Sequence, residues 1–268
     1  MDPFPQRIVC LTEETTETLY RLGEQDRIVG ISGFTVRPPE ARREKPKVSA
    51  FTSAKIDRIR DLEPDLVLGF SDLQADIAAE LVRAGIDVYV FNQRTVAGII
   101  AMIHRLGALV GAVEQARLLV TELEANLEAA RTSARTLPRR PRVYFEEWDD
   151  PPITGIGWVH ELIEIAGGED CFADRAVHGD AKSRIIEDPR EVVAREPELI
   201  IGSWCGKRFR PEKVAQRDGW HSIPAVRNGH VHEIKSCDIL QPGPAALTDG
   251  LGQLADYIRR AANTPLVA

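Results

Sequence analysis

Val113-Glu-Gln-Ala-Arg-Leu-Leu-Val-Thr-Glu-Leu-Glu-Ala-Asn-Leu-Glu-Ala-Ala-Arg-Thr-Ser-Ala-Arg-Thr136 decides the fold of this 268-residue chain. Within it Val113, Ala116, Val120, Leu123, Leu127, Ala130 and Ala134 step by three and four, which draws one apolar stripe down a single continuous helix. Such a helix runs about 36 Å, enough to cross a small domain. Strand and helix signals alternate on both sides of it, and no flexible linker interrupts them. The expected architecture is therefore α/β, with two lobes of mainly parallel sheet bridged by one long α-helix and a ligand cleft between them. The N-terminal lobe is placed at 1–110, the bridge at 111–138 and the C-terminal lobe at 139–268.

Before the bridge, Arg7 to Leu11, Arg27 to Ser32, Asp65 to Phe70 and Asp87 to Asn92 read as strands. Ser53 is read as the cap of a short helix carrying Ile56, Ile59 and Leu62. Ser71 with Gln74 makes a capping box for the next helix, which ends at Gly85. Beyond the bridge, Arg142 to Glu147, Leu199 to Trp204 and His230 to Ile234 read as strands. Gly157 to Ala166 and Leu247 to Ala261 read as helices, and Asp188-Pro189 reads as a cap followed by proline at the first helical position. In parallel sheets covered by helices, ligands collect at the carboxyl ends of the strands. Those ends are rich in aromatic and polar residues here: Phe34, Phe51 and Phe70-Ser71 in the first half, Glu146-Glu147-Trp148 and Trp204-Cys205 in the second.

Composition narrows the function classes. Hydrophobic content of 43% with 28% charged residues is ordinary for a globular protein. A net charge of −7 argues against nucleic-acid binding, which calls for a basic face. The basic runs Arg37 to Lys47 and Arg139 to Arg142 lie beside prolines and read as solvated loops. No stretch is long and apolar enough to span a membrane. Cys10, Cys171, Cys205 and Cys237 show no metal-finger spacing and read as free thiols. Met1 to Gln6 is short and polar and no signal region precedes Cys10, so Cys10 is not read as a lipid-attachment site. If Met1 is the native start, that predicts a cytoplasmic protein.

Arg7-Ile-Val-Cys-Leu-Thr12 with Thr16-Glu17, Arg27-Ile-Val-Gly-Ile-Ser32, Pro38-Pro39-Glu40-Ala41, Phe51-Thr52, Ile59 to Leu68 and Gly85-Ile86-Asp87-Val88 resemble the opening of the helical-backbone (class III) substrate-binding proteins of ABC importers. Gly167-Gly168-Glu169 and Gly229-His230-Val231 fit the second lobe of that family. Within it the chain looks most like the cobalamin-binding branch, because Phe34 and Phe70 fall where that branch places cleft aromatics. The resemblance implies non-catalytic capture of a corrinoid, a periplasmic location and an ABC permease as partner. It also implies that Asp76 and Glu80 on the first lobe and Glu212 on the second dock the permease.

The ligand set expected from these residues puts Phe34, Phe51 and Phe70 on one face of the guest and Trp148, Trp158 and Trp204 on the other. A buried aromatic contact contributes about 0.5–1.5 kcal/mol beyond area burial. Glu13, Lys207, Ser236 and Gln241 then read its amide rim, and Ser71 and Glu147 complete the expected ligand-binding set. The chain is expected to be a monomer with no intrinsic cofactor, cobalamin being bound only as ligand. His230 and His232 share one side of a strand, but two nitrogens fall short of the three or four ligands zinc takes, so no metal site is assigned. Gly202-Ser203-Trp204-Cys205-Gly206 places tryptophan where a nucleophile elbow needs its nucleophile, and no Walker or G-x-G-x-x-G sequence is present, so an enzyme is not expected. The alternatives are a haem or ferric-siderophore binder, with His160 or His178 supplying an axial nitrogen, and a cytoplasmic metal-handling protein or enzyme on the same scaffold using Cys205, His230 and His232.

Overall fold

The computed structural model describes residues 3–265. Strand β1 (Ile8–Cys10) lies at the centre of the first sheet, between β2 (Ile28–Ser32) and β4 (Leu66–Phe70). Strand β3 (Lys47–Ser49) and strand β5 (Val88–Phe91) complete the order β3-β2-β1-β4-β5. All four pairings are parallel. Strand order reverses beside β1, which is where parallel α/β sheets open a crevice for ligands. Val9, Leu11, Val48, Ile59, Val67, Ile77 and Leu81 form the apolar core on this sheet.

The second sheet has the order β10-β9-β6-β7, from β6 (Arg142–Asp149), β7 (Pro152–Thr154), β9 (Leu199–Gly202) and β10 (Val231–Glu233); β8 (Glu169–Asp170) also pairs with β6. Strands β6, β8, β9 and β10 are parallel and β7 is antiparallel. The core here is heavily aromatic. Tyr144 packs tilted on Phe172 at 5.4 Å and edge-on to Trp220 at 6.0 Å, and Trp204 meets Phe209 edge-on at 4.9 Å. Edge and tilted arrangements suit the ring quadrupoles.

The described chain divides into two compact units. One holds the residues up to Gln93, then Ala97–Leu123 and Gln241–Pro244; the other holds Arg94–Val96, Glu124–Leu240 and the residues from Ala245 on. The Val113–Ala134 helix belongs to both, as 22 unbroken residues. Its stripe buries Ala116, Val120, Leu123 and Leu127 as expected, but Val113 is exposed and Leu119 takes an inward place.

Three local expectations need correction. The basic run Arg37 to Lys47 is not a loop: Pro39–Glu44 is a helix and β3 starts at Lys47. Only Ala41 of that helix is buried, so its arginines project outward and hide the helix signal. Ser53 does not cap the Ile56–Arg60 helix, whose N-cap residue is Lys55. The last helix, Leu251–Asn263, is preceded by a π-helical turn over Ala246–Gly250.

Candidate functional site

The carboxyl ends of β1, β2 and β4 bring together most of the first-half residues. At the end of β4, Ser71 adopts φ 67° and ψ 168°, a conformation nearly reserved for glycine. The turn is held from three directions. The Ser71 amide donates to Phe91 O at 2.8 Å, Ser71 Oγ accepts from the Leu73 amide at 3.3 Å, and Gln74 Oε1 accepts from the Phe70 amide at 2.9 Å. Gln74 therefore reaches past Ser71 to the strand's last residue, a variant of the expected box. Gln74 Nε2 also donates to Phe51 O at 2.9 Å, tying the ends of β3 and β4 together. Phe70 is buried at 7% exposure and Phe51 is half-buried, whereas Phe34 stands 59% exposed.

Glu13 opens the Glu13–Arg21 helix directly after β1, and this first turn holds an unusual concentration of buried acid. Glu13, Glu14 and Glu17 are all buried, as are Thr12, Thr15, Thr16 and Thr18. The threonine hydroxyls turn back on the helix: Thr15 and Thr16 donate to Thr12 O, and Thr18 donates to Glu14 O. Glu13 Oε2 accepts the Val36 amide at 2.9 Å and Glu14 Oε1 accepts the Thr12 hydroxyl at 2.6 Å. Burial pushes the Glu13 carboxyl up to about 8 and the Glu14 carboxyl up to about 7.

In the second unit, three parallel strand ends carry the rest. Lys207 Nζ sits 2.6 Å from Asp149 Oδ2, 5.3 Å from the centre of the Trp148 ring and 5.1 Å from that of Trp204. Its ammonium is thus engaged by a carboxylate and two indole faces. Asp149, which sequence reasoning passes over, is the acid that holds it. Glu147 is expected among the ligand-binding residues, but it is ion-paired with Arg184 at 2.6 Å. Arg184 is itself buried and donates to Thr154 O as well, so Glu147 fixes the β6–β7 turn.

Two of the three predicted tryptophans are core residues. Trp158 is 2% exposed and donates its indole N–H to Ile239 O at 2.9 Å. Trp204 is 4% exposed and donates to Glu146 Oε1 at 3.0 Å. Both rings are consumed by packing because an indole buried in an apolar core also needs an acceptor for its N–H. Trp148 is half-buried and keeps surface to offer. Ser236 begins the short Ser236–Ile239 helix after β10 and is half-buried. Gln241 groups with the first unit, where Pro242 O accepts from Gln93 Nε2 at 3.0 Å.

The remaining candidates sort cleanly. Asp76 and Glu80 are exposed one turn apart on the Ala75–Arg83 helix, and Glu212 is exposed in the first turn of Pro211–Ala215. His230 and His232 do face one side of β10, but His230 Nε2 pairs with Thr264 Oγ1 at 2.8 Å and His232 stacks on Tyr257 at 4.3 Å. Among the described residues no three metal-ligating side chains converge. His160 is tied to Asp170 at 3.1 Å, while His178 is exposed. A groove of about 410 Å³ in the second unit is lined by Asn126, Ala129, Ala130 and residues between Leu247 and Asp256, none of them expected from the sequence.

Aromatic and polar side chains thus lie at the carboxyl ends of parallel strands in each unit. The chain belongs to the periplasmic binding protein family, which matches residues 8–237. Among its relatives, the ABC transporter substrate-binding lipoprotein YvrC of Bacillus subtilis (strain 168) is 26% identical over 263 residues, covering 95% of this chain and 80% of that protein. The vitamin B12-binding protein of Vibrio campbellii is 29% identical over 242 residues, covering 88% of this chain and 84% of that one. The crystal structure of the periplasmic heme-binding protein RhuT from Roseiflexus sp. RS-1 shares the fold with a TM-score of 0.84 at 22% identity, covering 96% of this chain and 99% of RhuT. Family and relatives alike are substrate-binding proteins.

Proposed function

We propose that this protein captures a corrinoid, cobalamin or a close analogue, for an ABC-type importer, and that it does so without catalysis. The observation that carries this reading is the exposed Phe34 ring at the end of β2, 59% open to solvent where a core phenylalanine would be buried. Trp148, half-buried at the end of β6, is an aromatic with surface left to offer at a strand end of the second unit. Glu13, Ser71, Lys207, Ser236 and Gln241 supply polar groups near these strand ends, and a corrin rim bearing carboxamides calls for such donors and acceptors. The similarity to a vitamin B12-binding protein supports the ligand class. The likeness to an ABC transporter substrate-binding lipoprotein supports a permease partner, and membership of the periplasmic binding protein family supports a periplasmic site of action. Asp76, Glu80 and Glu212 are the carboxylates we assign to that partner.

Because Phe34 is exposed, Phe34→Ala should leave thermal stability unchanged while weakening cyanocobalamin binding about tenfold, roughly 1.4 kcal/mol. Trp148→Ala should weaken it at least as much. Isothermal titration of both variants beside the wild type checks this, and unchanged affinities in both would overturn the reading. A second reading is haem, with the exposed imidazole of His178 as the side chain that would supply an axial nitrogen.

A further inference from the structure

The loop after β2 wraps onto the start of the Glu13–Arg21 helix, where three buried oxygens, Glu13 Oε1, Glu14 Oε2 and Thr35 Oγ1, have nothing to bond. Val36 donates its amide to Glu13 Oε2, so in the neutral carboxyl that oxygen is the carbonyl and the proton sits on Oε1. Glu13 Oε1 has no partner, although the residue is only 4% exposed. One residue before Val36, the Thr35 hydroxyl is fully buried and also has no partner. A buried donor without an acceptor costs about 1–3 kcal/mol, and native proteins keep such groups chiefly where a ligand or water completes them. On either side of Thr35 in the loop, Phe34 and Val36 are exposed at 59% and 38%.

We propose that Glu13, as a neutral carboxylic acid, and Thr35 form a donor subsite for an acceptor oxygen of the ligand, so that capture requires Glu13 to keep its proton. This rests on the corrinoid reading above, and the acceptor it fits is a side-chain carboxamide carbonyl. The charged groups around Glu13 favour the neutral form. Glu14 and Glu17 lie on its own helix, and Arg37 on the facing loop is paired with Glu17 at 3.3 Å. Burial outweighs both the Val36 amide and that guanidinium, which favour the charged form, and pushes the carboxyl up to about 8. Both free oxygens are closed to solvent here, so the ligand oxygen enters by displacing the Phe34 and Thr35 side chains while the Val36 amide stays on Glu13 Oε2.

The test is the pH dependence of cyanocobalamin affinity, since that ligand has no group of its own that titrates between pH 6 and 9. The wild-type Kd should rise about tenfold from pH 7 to pH 9, as expected for loss of one proton near pH 8. In Glu13→Gln the Kd, at whatever level, should stay flat across that range, because an amide donates at every pH. Glu14→Gln should move the midpoint without flattening the profile. Parallel profiles in wild type and Glu13→Gln, or an affinity that rises with pH, overturn the inference. Absence of cyanocobalamin binding at pH 6 overturns the corrinoid reading instead. The subsite is then judged by ¹³C resonances of the glutamate carboxyls, where titration of Glu13 in the ordinary carboxyl range overturns it.

Discussion

Arg217→Ala is expected to destabilise the protein by about 3–5 kcal/mol, the largest loss from any single surface-accessible side chain in the second unit. The reason lies in Glu146, which is fully buried on the central strand β6. It accepts from the Tyr144 hydroxyl at 2.9 Å, the Trp204 indole at 3.0 Å and Arg217 Nη2 at 2.9 Å, with Arg217 Nη1 as a further donor. Arg217 is the sole cation in that set, and its guanidinium also covers the Trp220 ring at 4.5 Å. Without it a carboxylate remains in an aromatic core with two neutral donors. Melting should fall by roughly 6–20 °C. Removing both charges while keeping an acceptor, as in Glu146→Gln with Arg217→Met, should recover part of the loss, since the interior then holds no unpaired ion and the amide oxygen still accepts from Tyr144 or Trp204. A fall of under about 2 °C in the single variant contradicts this account of the second core.

The second large effect is a loss of stability as pH rises. Glu13 and Glu14 have folded values of about 8 and about 7, above the 4.5 of an ordinary glutamate. The folded state therefore holds more protons than the unfolded chain between these limits. Stability from both groups is fully present below pH 4.5 and is lost as pH climbs through 7 and 8. Every tenfold gain in proton affinity on folding corresponds to about 1.4 kcal/mol, so the two carboxyls together are worth several kcal/mol. His230 and His232 act in the opposite sense. Burial lowers both, so their contribution is present above the ordinary histidine value and falls away as pH drops through their folded values. Thermal melting from pH 5 to 9 should show a maximum on the acid side of neutrality. The Glu13→Gln, Glu14→Gln double variant should melt well above the wild type at pH 9 and keep little of the alkaline decline. A wild-type profile that is flat from pH 7 to 9 contradicts the burial of these acids.

Where one periodicity dominates, the sequence is a faithful guide. The strands read from β-branched runs all appear, within one or two residues at each end, and the 22-residue helix appears unbroken. Such elements are legible because burial on one stripe or both faces leaves its pattern in the residues. The Pro39–Glu44 helix and β3 are hidden because only Ala41 and Val48 in that stretch face the core. Strand β7 is three residues long and starts at Pro152, too short to carry an alternation.

The site is legible only in part, for a different reason. Strand ends are placed by local pattern, but whether an indole turns outward depends on tertiary partners. Trp204 is drawn inward by the Glu146 carboxylate on a strand 58 positions away in sequence, and Trp158 by the carbonyl of Ile239. Acidic residues opening a helix read as solvated complements to its dipole. Here Thr12-Glu-Glu-Thr-Thr-Glu-Thr18 is buried throughout. The signal that marks this is present: threonines interleave the glutamates at positions where a solvated helix start would carry lysine, alanine or further acid.

The measurement that bears most directly on the functional account is equilibrium dialysis of the purified protein against cyanocobalamin at pH 6, with haemin in a parallel cell. Retention of one cyanocobalamin per chain, with a Kd of about 1 μM or tighter and weaker retention of haemin, is the predicted result. Saturable binding of haemin with no retention of cyanocobalamin at millimolar concentration would contradict it.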